Sequence, residues 1–97
     1  MSNPAPSGSV TVWIPSLLRD LTGGRETVRV DGQTVRQVIA ALDRLYPGIR
    51  QRLCDGDTLR PGIAVAVDTQ VAPLGLLQPV RAGGEVHFLP AVSGGGR

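Results

Sequence analysis

At 97 residues the chain suits one domain with its own core, and its 3% aromatic content means that core is built from Val, Ile, Leu and Ala. The net charge of +2 arises from ten arginines and eight acids, scattered and without stacking rings among them, which argues against nucleic-acid binding. The single cysteine, Cys54, excludes an internal disulfide, and the absence of a signal-like start or a membrane-length apolar run makes a cytoplasmic protein the expectation.

Residues 1–9 are rich in Pro, Ser and Gly, have little to bury and are expected to be disordered. Val10 to Ile14 then alternates and is β-branched, which predicts a strand with Val10, Val12 and Ile14 on one face and Trp13 on the other. Pro15 ends it. Ser16 to Gly24 is a compact connection in which Leu18 and Leu21 tuck under the sheet. Gly23-Gly24 supplies the freedom for a sharp return. Glu26 to Val30 alternates again, and Asp31-Gly32 is a turn signal. Two strands this close in sequence predict an antiparallel hairpin.

The clearest helix follows. Thr34 is placed to cap it, and Val35, Val38, Ile39, Leu42, Leu45 and Tyr46 form one apolar stripe. Arg36, Gln37, Asp43 and Arg44 fall on the other face, and Pro47-Gly48 stops the helix. Ile49 to Cys54 adds a short helical turn. Ile63 to Val67 is a third strand, apolar at both parities and so expected to be covered on both faces. Asp68 to Pro79 is irregular, with room for a short strand near Val71. Arg81 to Gly84 is a turn. Glu85 to Leu89 is the last strand, closed by Pro90, with Val86 and Phe88 facing the core and His87 and Leu89 facing away.

This order of elements predicts an α+β fold, a β-grasp with a mixed sheet of four to five strands on one main helix. The domain is expected over residues 10–92, with a flexible glycine-rich tail over 93–97. Crossing from the helix to a parallel neighbour puts the first and last strands side by side in mid-sheet. The tail, Ser93-Gly94-Gly95-Gly96-Arg97, then continues a central strand.

At this point the chain resembles the MoaD/ThiS-like ubiquitin-fold sulfur carriers, the family of the molybdopterin synthase small subunit. The resemblance rests on Val12-Trp13-Ile14-Pro15 before Leu17-Leu18-Arg19, on Thr34-Val35 opening the helix, and on Leu42-Asp43 with Tyr46-Pro47-Gly48. Most specific is Gly84-Glu85-Val86 running into Pro90-Ala91-Val92-Ser93-Gly94-Gly95. It spans about Val10 to Gly95.

The resemblance implies a carrier that is not itself an enzyme and binds no cofactor or metal. An E1-like adenylyltransferase/sulfurtransferase uses ATP to adenylate the terminal glycine carboxylate, and a sulfur-accepting synthase uses the thiocarboxylate that results. Gly95, preceded by Gly94, is the implied reacting residue. Leu89, His87, Val71 and Pro90 resemble the family's partner-docking patch. The sequence departs from the mature pattern because Gly96 and Arg97 follow Gly95. The family offers precursors trimmed by a JAMM-type zinc peptidase, so removal of Gly96-Arg97 is expected. Removal of Arg97 alone, leaving Gly96 terminal, is the alternative, and the register from Pro90 argues against it.

A ubiquitin-like modifier conjugated to lysines of target proteins uses the same activated tail. A β-grasp interaction module with an inert tail uses none of it. Cys54 reads as a small buried hydrophobe rather than a sulfur-handling thiol. His87 has no visible triad partner or ligand set. No membrane or nucleic-acid partner is expected. The destination of the sulfur (molybdopterin, cysteine, thiazole or a specialised metabolite) stays open.

Overall fold

The computed structural model describes residues 9–90. The expected glycine tail, together with Ala91 and Val92 of the expected domain, lies outside the described residues, as do residues 1–8. Ser9, grouped by the sequence with the disordered segment, belongs instead to the first strand, β1 (Ser9–Trp13), and is buried. Its carbonyl accepts a hydrogen bond from the Gly83 N–H at 2.8 Å, so backbone pairing, not side-chain pattern, decides its place.

The hairpin partner is β2 (Thr27–Asp31), antiparallel to β1 with Val12 opposite Val28 and Val10 opposite Val30. All four valines are buried and face the helix. A 3₁₀ turn at Ser16–Leu18 fills the connection, and Leu18 is buried as expected. Helix α1 (Val35–Leu45) starts at Thr34, whose hydroxyl accepts the Gln37 N–H at 3.2 Å. Val35, Val38, Ile39 and Leu42 are buried on the sheet. Truncating Leu42 to Ala should cost about 2–5 kcal/mol.

Leu45, which the apolar stripe is expected to bury, is instead 56% exposed. It sits at the margin of the stripe, on the side shared with Ala41, where the sheet runs out beside β2.

A short helix, α2 (Ile49–Leu53), follows, its first turn held by Asp43. The Asp43 carboxylate accepts the N–H groups of Gly48 and Arg50, both at 3.1 Å. The sequence places Asp43 only on the helix face opposite the apolar stripe. A two-residue-stranded hairpin, β3 (Cys54–Asp55) with β4 (Thr58–Leu59), stands apart from the main sheet and went unpredicted.

The remaining strands are β5 (Ile63–Val67), β6 (Gln70–Val71) and β7 (Glu85–Pro90). The main sheet has the order β2-β1-β7-β5-β6. β1 and β7 are parallel neighbours in its middle, and β5 pairs antiparallel with both β7 and β6. This is the predicted β-grasp. β5 is buried at both parities only at its centre, at Val65 and Ala66. β7 runs one residue further than expected, because Pro90 pairs with Ile63. Proline lacks an N–H but its fixed φ suits the end of a strand. Within the stretch read as irregular, Leu76 joins the core, and so does Val80 just beyond it.

Candidate functional site

The strand leading to the tail, β7, is anchored at its start. At its start, Asp68 does most of the work. Its Oδ1 accepts the Glu85 N–H at 2.9 Å and its Oδ2 meets the Arg81 Nε at 3.1 Å. The Asp68 N–H in turn donates to the Glu85 carbonyl at 2.9 Å. Beside it, Thr11 N–H donates to the Gly84 carbonyl at 3.0 Å, which ties β7 to β1. Gly84 must be glycine. A Cβ there would lie 2.9 Å from the Arg81 carbonyl oxygen and 3.2 Å from Asp68 Oδ1.

Along β7, Val86 and Phe88 are buried in the core, as alternation predicts. His87 and Leu89 lie on the opposite face. The register shows what shares that face. His87 is opposite Trp13 on β1 and Ala66 on β5, and Ala66 is opposite Val71 on β6. Leu89 is opposite Ala64. Of the proposed docking residues, therefore, His87, Leu89 and Val71 share one face of three adjacent strands. Val71 and Leu89 are exposed, and His87 is half-buried.

Trp13 is the residue sequence reasoning left out of the patch. Its ring stacks on that of His87 with centroids 5.2 Å apart and planes 11° from parallel. His87 also approaches Glu85 Oε1 at 3.4 Å through Nε2. The sequence placed Trp13 on the far face; only the parallel β1–β7 register puts it against His87.

At the end of β7 lies an apolar hollow of about 340 Å³. Pro15, Leu17 and Leu18 wall one side; Phe88, Leu89 and Pro90 wall the other. Leu17 is 82% exposed, so the rim offers a large unpartnered apolar side chain beside the point where residue 91 begins. Arg52 donates to the Leu17 carbonyl at 3.3 Å and holds this loop against the domain. Pro90 is exposed at the rim. Gly94, Gly95, Gly96 and Arg97 lie outside the described residues, so the site is known here by its base.

The chemistry of the described part is that of a platform. Among the described residues no three His, Cys, Asp or Glu side chains gather as a metal site. Cys54 is buried in the core beside α2, away from the main sheet. Burial pushes its thiol pKa up, and the charges of Arg50, Arg36 and Arg60 offset this only in part. A protonated, buried thiol is a poor nucleophile.

The model of the ThiS family matches residues 12–95. The sulfur carrier protein CysO of Mycobacterium tuberculosis is 37% identical over 92 residues, covering 90% of this chain and 99% of that protein. Among solved structures, the Amycolatopsis orientalis BexX/CysO complex contains a chain with a TM-score of 0.80 at 37% identity, covering 89% of this chain and 99% of the other. SAMP1 from Haloferax volcanii superposes with a TM-score of 0.73 at 32% identity, covering 91% and 100%.

Proposed function

The chain belongs to the ThiS family and is a sulfur carrier; we propose that its sulfur is carried on the Gly95 carboxylate as a thiocarboxylate. The observation that supports this most is the placement of β7. A central strand, fixed at its start by Asp68 and β1, ends at an apolar rim. Glycines beyond it have no Cβ, so backbone can enter a narrow channel in a partner.

In this reading the catalytic groups belong to partners, and the carrier is a substrate rather than an enzyme. Hydrolysis of the Gly95–Gly96 peptide bond by a JAMM-type zinc peptidase adds water and frees the Gly95 carboxylate. That carboxylate attacks the α-phosphorus of ATP in an E1-like enzyme, and pyrophosphate leaves. A sulfur nucleophile then attacks the acyl carbon, the bond to the AMP oxygen breaks, and AMP departs. Hydrosulfide gives the thiocarboxylate directly. A persulfide gives an acyl disulfide, which a thiol reduces to the same product. ATP is consumed by the partner, and the described residues need hold no cofactor. We place these steps in the cytoplasm, where ATP is available.

Partner proteins of sulfur transfer meet the carrier on the face around Leu89, His87, Trp13 and Val71, with Pro90 at its rim. The similarity to a chain of the BexX/CysO complex supports assembly with a partner protein; we place the destination of the sulfur in cysteine formation or a secondary metabolite. A second reading has its own support, since SAMP1 is named a small archaeal modifier protein. The chain contains no lysine, so it cannot form isopeptide bonds to its own side chains. Incubation with an E1-like enzyme, ATP and sulfide separates the two readings. Exchange of one oxygen for sulfur in the intact mass supports the carrier; adducts to lysines of other proteins, without that exchange, support the modifier.

A further inference from the structure

A groove of about 740 Å³ lies between β2 and α1, at the edge of the sheet away from β6. Its position follows from three features. The first is the open edge of the sheet. β2 is the outermost strand and pairs only with β1 among the described residues. The Ile14 N–H donates to the Glu26 carbonyl at 2.8 Å, which fixes the antiparallel alternation. Val28 and Val30 therefore turn their backbone groups to β1. Thr27, Arg29 and Asp31 turn theirs outward, and no protein partner meets them among the described residues. The opposite edge, β6, has only two residues and offers far less.

The second feature is the helix wall. Ala41, Arg44 and Leu45 line the groove from α1. Leu45, which the helical stripe would have buried, is instead its exposed apolar floor. The third is charge. Arg29 and Arg44 line the groove against one acid, Asp31, and neither arginine pairs with a carboxylate among the described residues.

We propose that this groove is a second docking site, independent of the tail, for an extended acidic–apolar segment of a partner protein that adds as a strand to β2. The added strand alternates its side chains. Those opposite Val28 and Val30 point to the helix side and settle on Ala41 and Leu45, so they are apolar. The one opposite Arg29 shares Arg29's face, so it is acidic. A second copy of this chain is the poorer occupant. Antiparallel self-pairing centred on β2 sets Arg29 against Arg29 of the other copy, and like charges directly opposed are destabilising.

The test uses the full chain and a blocked peptide of alternating valine and glutamate, with a valine–lysine peptide of equal length as control. Titration followed by amide NMR should move the signals of Thr27, Arg29 and Asp31 and slow their hydrogen exchange. Arg29→Glu should weaken binding about tenfold, since it converts a cross-strand attraction into a repulsion. Leu45→Ser should weaken it too, and this exposed site leaves the core intact. Equal binding of the lysine peptide overturns the proposal. So do shifts centred on Leu89 and Val71, no binding of either peptide at millimolar concentration, or a β2-to-β2 dimer in sedimentation.

Discussion

Trp13 and His87, neighbours across the parallel β1–β7 pair, stack with their ring planes 11° apart on the face that also carries Leu89 and Val71. The stack makes a flat, partly apolar platform beside the strand that leads to the tail. A partner settling there would remove Trp13 from water. Addition of an E1-like enzyme should therefore shift the Trp13 emission to shorter wavelength, read as a difference against the enzyme alone. Leu89→Asp should abolish that shift and slow adenylation at least tenfold, about the effect of losing a small interface hot spot. Its thermal midpoint should stay close to the parent's, because Leu89 is exposed and outside the core.

The start of β7 gives a prediction about stability. Gly84→Ala forces a methyl to within 2.9 Å of the Arg81 carbonyl and should cost about 1–3 kcal/mol in urea unfolding. Asp68→Ala removes the acceptor of the exposed Glu85 N–H and should cost about 0.5–1.5 kcal/mol. The double variant should cost less than the sum, since both disturb the same junction. Strict additivity would contradict the account of Asp68 as the anchor of this strand.

The β5–β6 hairpin contains a correctable strain. Asp68 and Thr69 both have positive φ, at 51° and 73°, as the two central residues of a type I′ turn do. Thr69 is β-branched and poorly suited to that region. Thr69→Gly should raise stability by about 0.5–1 kcal/mol, with the larger entropy of unfolded glycine offsetting part of the relieved strain. A loss of stability would contradict this reading of the turn.

Cys54 should be chemically silent. Cys54→Ala should leave the yield of thiocarboxylate unchanged, and alkylation of the folded protein should be slow. The thiol pKa is raised by burial, so the unfolded chain ionises first. The stability it contributes is fully present below the ordinary thiol value of about 8.5 and declines as pH rises above it. Cys54→Ala should flatten the fall in stability on the alkaline side.

The sequence made the fold legible because its strands alternate and its helix carries a clean stripe. Thr34, Val86 and Phe88 fell where local pattern put them. The failures share a physical origin in long-range pairing. Ser9 enters β1 through its contact with Gly83. Asp68 became an anchor only when β5 and β7 met, and Trp13 found His87 only through a parallel register. Leu45 escaped burial because a helical stripe does not reveal where the sheet beneath it ends. The β3–β4 hairpin is two residues per strand, too short for periodicity to show. Of the candidate docking residues, alternation puts His87 and Leu89 on one face; Val71, named from the resemblance, shares that face through two strand registers that no local pattern encodes.

The most direct test of the account is the intact mass of the native protein purified from cells, before and after treatment with an E1-like enzyme, ATP and sulfide. The expected result is a chain ending at Gly95, with Gly96 and Arg97 gone, that gains the mass difference between sulfur and oxygen on its terminal residue. A native chain that retains Arg97, or one ending at Gly95 that never acquires sulfur, would contradict it.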